Sequence, residues 1–426
     1  MRRYWPVAFV LAWVAGRVLV VWLLQGRHDW VEGDLQYFRH SLVALPDDGL
    51  ARTLVEYPLP GVVVVAVPWV LVTLLGVPES YADAVLVLAL LGDAAFTVLL
   101  ARLARPRRGA ALTVWLLAVP LLGATTYARF DLVPGLLIGA SLLLLAGRPR
   151  VAAGLAALAT GFKLWPAFVL PALAAPERFR RSVLTVVVAV GVILAGASVA
   201  LAGWARLFSP LTWQAARGLQ IEAVAATPAM VGWVFAPQSY EIAFTEHNAF
   251  EVVGPGTENL LTVSAVLSVL AAAALLALWV AAFRHGRGLT IETVSWLALA
   301  AVGLFVVTSK VLSPQYLLWL LPLAAAAAGL ARGRALVVWS AMLLVVTAAT
   351  QVVFPELYGQ LTHRGEHAGW AVLALTVRNL LLLALVGWAV VAAARGVSEA
   401  GRSSANRPDR AGTSTAPAGG DPPTPT

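Results

Sequence analysis

Long apolar stretches recur along this chain from residue 5 almost to residue 395, and several approach the ~20 residues that cross a bilayer. Hydrophobic residues make up 60% of the chain and charged ones 12%, whereas a soluble domain carries about a quarter charged residues. So much apolar surface cannot be wrapped inside a water-facing shell. A soluble enzyme is excluded, and a chain without cysteine is no disulfide scaffold. A β-barrel would show short alternating strands, not runs such as Leu132–Leu145. The expected fold class is all-α, a polytopic integral membrane protein.

The net charge of +8 is not a nucleic-acid signal. Lys163 and Lys310 are the only lysines, and both lie inside apolar sequence. The arginines instead cluster in short connections: Arg105 to Arg108, Arg148 with Arg150, Arg178 to Arg181, Arg284 with Arg287, and Arg332 with Arg334. This is the positive-inside pattern. With these connections in the cytoplasm, spans are expected at 5–24, 82–102, 109–124, 131–147, 183–203, 259–283, 289–309, 315–331, 335–353 and 369–394. The run after Arg2-Arg3 is too long for a signal peptide and reads as the first span. Both termini then come out cytoplasmic. The loops 25–57, 204–258 and 354–369, and the shorter 125–129 and 310–316, face outward. Residues 1–395 form one transmembrane domain, and the Gly/Ser/Pro/Thr-rich 396–426 read as a disordered cytoplasmic tail.

Two segments break the parity of this count. Residues 151–175 are flanked by arginines at both ends, so they enter and leave on one side as a hairpin broken at Phe162-Lys163-Leu164-Trp165-Pro166. Residues 57–76, with Pro58, Pro60 and Pro68, read as a re-entrant or tilted element at the outer surface. Broken backbone at membrane depth is tolerated only where protein or a water-filled cavity surrounds it, so both breaks point to a buried polar site.

The acids gather in the outward loops. Asp34 follows the first span, and Glu56 closes the same loop. A carboxylate there is placed for general-base work, although solvated loop acids have the same look. Arg17, Asp93 and Arg378 lie within spans, where charges are costly and paired or functional; Arg17 with Asp93 is the obvious internal pair. Lys163 and Lys310 sit at proline-broken helix ends, Arg129-Phe-Asp131 caps another span, and cations aimed at one outward cavity suit a phosphate or diphosphate. Arg217, Gln220 and Glu222, with tryptophans around them, suit sugar hydroxyls and ring faces, as does an interfacial aromatic belt. His363-Arg-Gly-Glu366-His367 matches a zinc-peptidase pattern, but a glycine interrupts it and no third ligand is evident, so no metal site is expected.

Six short motifs occur in order: Gly33-Asp34-Leu-Gln-Tyr37, Tyr57-Pro58-Leu-Pro60, Tyr127-Ala-Arg129-Phe-Asp131, Phe162-Lys163-Leu-Trp-Pro166, Arg217-Gly-Leu-Gln220-Ile-Glu222 and Ser313-Pro-Gln315-Tyr316-Leu-Leu-Trp319. Together they resemble glycosyltransferase family 87, within the GT-C superfamily of membrane enzymes that use polyprenyl-phosphate sugars. The resemblance implies a GT-C-type bundle of about 11–12 transmembrane helices with re-entrant or broken members. It implies transfer of a sugar, most readily mannose, from a polyprenyl-phosphate donor to a glycolipid or cell-envelope glycan acceptor on the outer face of the plasma membrane. Asp34 matches the essential acid and would act as general base in an inverting attack. Lys163, Arg129 and Lys310 would hold the donor phosphate, and Glu56, Tyr57, Asp131, Arg217, Gln220, Glu222, Gln315 and Tyr316 would bind substrate. The donor is a lipid-linked sugar, no cofactor is required for certain, and a divalent cation is left open. Two other readings use the same residues: a transporter or flippase of a lipid-linked sugar phosphate, and a polyprenyl-diphosphate-linked glycan ligase.

Overall fold

The computed structural model of the protein describes residues 5–405. α1 (Trp5–Gln25) leads into a connection that carries α2 (Gly33–Val43) and α3 (Leu45–Asp48), followed by α4 (Leu59–Leu74) and α5 (Tyr81–Leu103). Then come α6 (Arg108–Leu122), α7 (Leu132–Leu144), α8 (Pro149–Phe162), α9 (Leu170–Ala174) and the long α10 (Glu177–Ala216). α11 (Thr227–Phe235) precedes one antiparallel hairpin, β1 (Glu241–Thr245) with β2 (Ala249–Val253). α12 (Thr257–Arg284), α13 (Ile291–Thr308), α14 (Leu317–Leu330), α15 (Ala335–Gln351), α16 (Tyr358–Thr362) and α17 (Ala368–Ala405) complete the bundle.

The all-α membrane architecture expected from hydropathy is the one present. Among the described residues eight helices are long and apolar enough to cross a membrane, and five shorter apolar helices pack among them. The spans expected at 131–147 and 315–331 belong to the shorter class, as α7 and α14. Their brevity follows from where they sit. α14 packs against α6, α7, α13 and α15, and all its residues from Leu317 to Gly329 are buried. Such a helix need not match the bilayer thickness, because protein surrounds its ends. Gly135 and Gly139 of α7 make the close approach possible: a Cβ at either would fall 2.2 Å from the Leu318 carbonyl oxygen or 2.8 Å from that of Pro322. Small residues four apart are a recurrent membrane contact of this kind.

Peripheral helices show the opposite pattern. α10, α12 and α17 leave Val192, Ile193, Val269, Leu270 and Trp370 exposed, which is the surface lipid covers. Segment 57–76 is a single helix, α4, in contact with α2 and α5. Tyr57, two residues before it, packs its ring 5.7 Å from that of Phe38 in α2, and Glu79, five residues past its end, pairs with Arg39 of α2. Val63, Val67, Val70 and Leu74 form its exposed stripe.

Two boundaries differ from expectation. The span expected at 183–203 does not stop there: α10 resumes after Gly203, whose φ of 81° only glycine adopts easily, and runs on to Ala216. The first residues of the tail expected from 396 are helical: α17 continues to Ala405 with Val397 and Ala400 buried and Ala400 against Gly288. The rest of that tail lies outside the described residues.

Asp93 and Arg17 form the anticipated buried pair. Arg17 donates from Nε to Asp93 Oδ2 at 2.8 Å, from Nη2 to Oδ1 at 3.1 Å, and from Nη1 to the Leu116 carbonyl at 3.2 Å. Trp115 Nε1 and the Tyr127 hydroxyl donate to the same carboxylate at 2.6 and 2.7 Å. One carboxylate thus ties α1, α5, α6 and the start of α7 together. Asp93→Ala alone strands Arg17 in apolar surroundings, at an expected cost of about 3–5 kcal/mol. The apparent Tm in detergent should drop sharply, and adding Arg17→Met should recover most of the loss. Equal Tm for the single and double variants would refute the pairing energy.

Candidate active site

A polar cavity of about 420 Å³ opens where the connections expected to face outward converge. The segments around Asp34, Glu56, Arg129, Lys163, Arg217, Gln315 and Tyr358 all line it. Each is placed by a local break in regular structure. α8 cannot continue through Pro166, so Lys163 closes it in extended conformation (φ −151°, ψ 143°) with its side chain at the helix C-terminus, a favourable end for a cation. Asp131 stands at the N-terminus of α7, the favourable end for a carboxylate. Because α7 and α8 pack together, Lys163 Nζ meets Asp131 Oδ2 at 2.7 Å, and Trp319 Nε1 donates to the other oxygen. Lys163 also lies 5.3 Å from the Tyr57 ring centre and 5.9 Å from that of Trp319.

Asp34 sits in the first turn of α2 on the cavity wall, 36% exposed. Arg129 Nε contacts its Oδ2 at 3.2 Å, and Arg129 Nη1 donates to the Val31 carbonyl at 2.7 Å, so one guanidinium fixes both the acid and the turn that carries it. The segment 50–57 is held by Arg206, a residue sequence reasoning passed over. Buried just beyond Gly203, Arg206 donates to the carbonyls of Leu50, Thr53, Leu54 and Tyr57 at 2.8–3.2 Å. That clamp sets Glu56 and Tyr57 in the cavity. Burial pushes the Glu56 carboxyl above its ordinary range, with Tyr37, Lys163 and Arg206 countering only part, and its Oε2 has no hydrogen-bond partner.

The three cations expected to hold a phosphate, Arg129, Lys163 and Lys310, are all engaged within the protein, whereas Arg217, expected to bind substrate, is not. Arg129 is engaged with Asp34 and Lys163 with Asp131. Lys310 donates to the carbonyls of Ala215, at 3.0 Å, and Arg217, closing the C-terminus of α10, and burial lowers its ammonium below the usual range. Arg217 makes no ion pair among the described residues, and its buried Nε has no partner. It is the cation left free for a ligand. Gln315 and Tyr316 line the same wall, and Gln220 accepts from the Leu312 and Glu222 amides.

A second, larger space adjoins the first. An apolar groove of about 1040 Å³ runs between the Lys163 break, α10, α12 and α13, and shares Glu56, Lys163, Gln214, Arg217, Val311 and Tyr316 with the polar cavity. Trp165, Phe305 and Tyr316 stack around Trp319 on its wall. On the opposite side the polar cavity meets Trp30, Phe354, Tyr358 and Phe250, rings that pack against one another with centres 4.9–6.3 Å apart. The β1–β2 hairpin brings Phe250 there by bonding to the extended segment 218–221, through Ile221 N–H to the Phe250 carbonyl and Val252 N–H to that of Leu219. His363 lies against Phe250 and bonds Thr362, and among the described residues no three metal-ligating side chains come together.

Fold and site define an integral membrane protein whose carboxylates and cations meet where a polar cavity joins an apolar groove. Residues 56–253 match the model of glycosyltransferase family 87. No curated protein and no solved structure matches the chain. Glu56, Tyr57, Arg129, Asp131, Lys163, Arg217, Gln220 and Glu222 fall inside the matched stretch; Asp34, Lys310, Gln315 and Tyr316 fall outside it.

Glu222 is fully buried, and its pKa is pushed up to about 7 from 4.5 because burial outweighs the pull of Arg378. Between those two values the folded chain keeps a proton that the unfolded chain releases. Stability is therefore highest below about pH 4.5 as far as this group is concerned, and falls as pH rises toward about 7. Apparent Tm measured from pH 5 to pH 8 should decline across that window, and Glu222→Gln should flatten the slope.

Proposed function

We propose that this chain transfers a sugar, most readily mannose, from a polyprenyl-phosphate donor to a hydroxyl of a glycolipid or cell-envelope glycan at the outer face of the plasma membrane. One observation carries the reading: Arg217, unpaired, and Lys163 stand at the junction of the polar cavity and the apolar groove. A lipid phosphate sugar has this division in its own structure. Its chain suits the groove, its phosphate suits Arg217 with Lys163 and Lys310 near it, and its sugar suits the polar cavity. The aromatic rings across the cavity suit the acceptor's sugar faces.

In this reading Arg129 holds Asp34 by one oxygen and leaves the other for the acceptor hydroxyl. Asp34 takes the hydroxyl proton as the acceptor oxygen forms its bond to the anomeric carbon. The bond from that carbon to the phosphate oxygen breaks on the opposite face, so configuration inverts, and the lipid phosphate leaves with both electrons of that bond. Cations at the junction stabilise the charge it gains. The donor brings its own leaving group, so no cofactor enters the step.

Membranes carrying the wild type, supplied with labelled polyprenyl-phosphate-mannose, should form a labelled glycolipid. Asp34→Asn should lower that rate by about 10²–10⁴, the range of a general base. Full activity of Asp34→Asn together with an inactive Glu56→Gln would move the base to Glu56. Failure of the wild type with every lipid-phosphate sugar, alongside transport of one, would favour a flippase.

Arg217→Gln tests the phosphate site separately. It should raise the donor KM about tenfold or more while leaving the acceptor KM unchanged. An unchanged donor KM would take the phosphate away from Arg217.

A further inference from the structure

A separate pocket lies at the end of the bundle away from the polar cavity. α10 reaches that cavity at Gln214, and α12 reaches the adjoining groove at Leu261; their other ends lie together through the Glu177–Arg287 pair. There α9, a single turn of helix, contacts both. A helix so short cannot fill the space between two long neighbours. What remains is a pocket of about 530 Å³, walled by Val183 and Val187 of α10 and by Trp279 and Phe283 of α12, with Pro171 and Ala174 of α9 as its floor. Of the side chains lining it, only Trp279 and Arg284 carry polar atoms. Leu184 and Leu276, both exposed, form rims that open toward lipid.

Two cations stand at the outer edge of this pocket. Arg180 precedes Val183 and Leu184 by one turn on the same face of α10. Its guanidinium covers the Phe283 ring at 4.8 Å, and Nη2 donates to the carbonyls of Phe283 at 2.6 Å and Ala175 at 2.9 Å. Its buried Nε has no partner. Arg284 lines the pocket from α12. Among the described residues neither arginine makes an ion pair, and the neighbouring carboxylate of Glu177 is taken by Arg287 at 2.8 Å. Further along the wall, the Trp279 indole N–H is buried without an acceptor. Trp279 and Arg284 stand about 7 Å apart along the axis of α12.

An occupant must therefore be hydrocarbon over most of its length, anionic at one end, and able to accept a hydrogen bond just below the charge. A phospholipid has this order in its acyl chain, ester carbonyl and phosphate. The layer holding esters and phosphates is roughly 5–8 Å thick on each side of a bilayer, which matches the rise from Trp279 to Arg284. The arginine pattern predicts that this end is cytoplasmic, and basic pockets between helices on that side hold anionic head groups. A free phosphate would meet the arginines and leave the pocket unfilled.

We propose that the pocket between α9, α10 and α12 binds one anionic phospholipid, with an acyl chain in the pocket, an ester carbonyl at Trp279 and the phosphate between Arg180 and Arg284. Leu170 and Pro171, the half-buried residues of α9, line the same pocket. The lipid thus braces the arm of the broken hairpin that follows Lys163. The site is independent of the transferase reading.

The test uses the full chain purified in detergent and follows thermal unfolding against added lipid. Phosphatidylglycerol should raise the apparent Tm saturably, with a midpoint about tenfold or more below that of phosphatidylcholine carrying the same chains, because each arginine contributes about fivefold toward an anionic lipid. Arg284→Gln, at an exposed position, should raise the phosphatidylglycerol midpoint about fivefold. Leu184→Trp combined with Leu276→Trp, at the exposed rims, fills the pocket and keeps both arginines; it should abolish the preference for phosphatidylglycerol. Equal midpoints for the two lipids in the wild type would leave an unselective lipid annulus and overturn the site. An unchanged midpoint in Arg284→Gln, or a preference that survives the double tryptophan variant, would overturn it too. Stabilisation by glycerol phosphate at the phosphatidylglycerol midpoint would make the ligand a free phosphate and refute the lipid.

Discussion

A charge inside a hydrocarbon slab must find a partner within the protein, and this chain's architecture is arranged around three places where it does. Asp93 with Arg17, Asp131 with Lys163, and Glu222 with Arg378 each join distant segments. They differ in how completely the surrounding donors and acceptors are used. Asp93 takes two nitrogens of Arg17, an indole and a phenol, and its pair serves only to hold helices together. Asp131 is likewise supplied, by Lys163 and Trp319, but Lys163 keeps 19% of its side chain exposed toward the cavity. Glu222 and Arg378 are the most deeply buried beside that cavity and the least satisfied. From Asp93 to Asp131 to Glu222, the pairs lose saturation.

The cavity itself depends on segments that are not continuous helices. Pro166 ends α8 at Lys163, Gly203 bends α10, and the 217–226 loop hands its backbone to Phe250 and Lys310. Each break frees carbonyls and amides that lipid cannot satisfy. Arg206 answers four of those carbonyls in the 50–57 segment, and Lys310 answers two at the end of α10. The same two cations therefore close the backbone and shape the site. Lys310 was anticipated as a phosphate ligand, yet its ammonium is already committed to Ala215 and Arg217 carbonyls, which is why Arg217 carries more of that role in the proposed reading.

Most of the fold was legible because hydropathy and proline act locally. The spans, the break at Lys163 and the Arg17–Asp93 pair all follow from costs paid within one segment or by one isolated charge. The gathering of Asp34, Glu56, Arg129, Lys163, Arg217 and Gln315 around one cavity was legible too, since arginine placement sorted their loops to one side. What stayed hidden depends on distance along the chain. Arg206 reaches carbonyls about 150 residues earlier, and Arg378 meets Glu222 across 156 residues, so neither partner leaves a mark near the other. The continuation of α10 past Gly203 was missed because a glycine between apolar stretches reads as a stop, and the helical start of the tail because Val397 and Ala400 gain their burial from a neighbouring connection.

The placement of Glu56 shows how the two spaces constrain each other. It is a carboxyl at the junction of polar cavity and apolar groove, and burial holds its proton more tightly than in water. An ionised Glu56 beside the place proposed for the phosphate would oppose that ligand; a protonated one donates to it or to a sugar oxygen instead. Tyr37 and Arg206 pull the other way, favouring the charged form. In the proposed reading the donor is a phosphodiester with one negative charge, and that charge beside Glu56 would favour the protonated carboxyl. Asp34 lines the same cavity, and Arg129 holds it by one carboxylate oxygen, which in the proposed reading leaves the other for the acceptor.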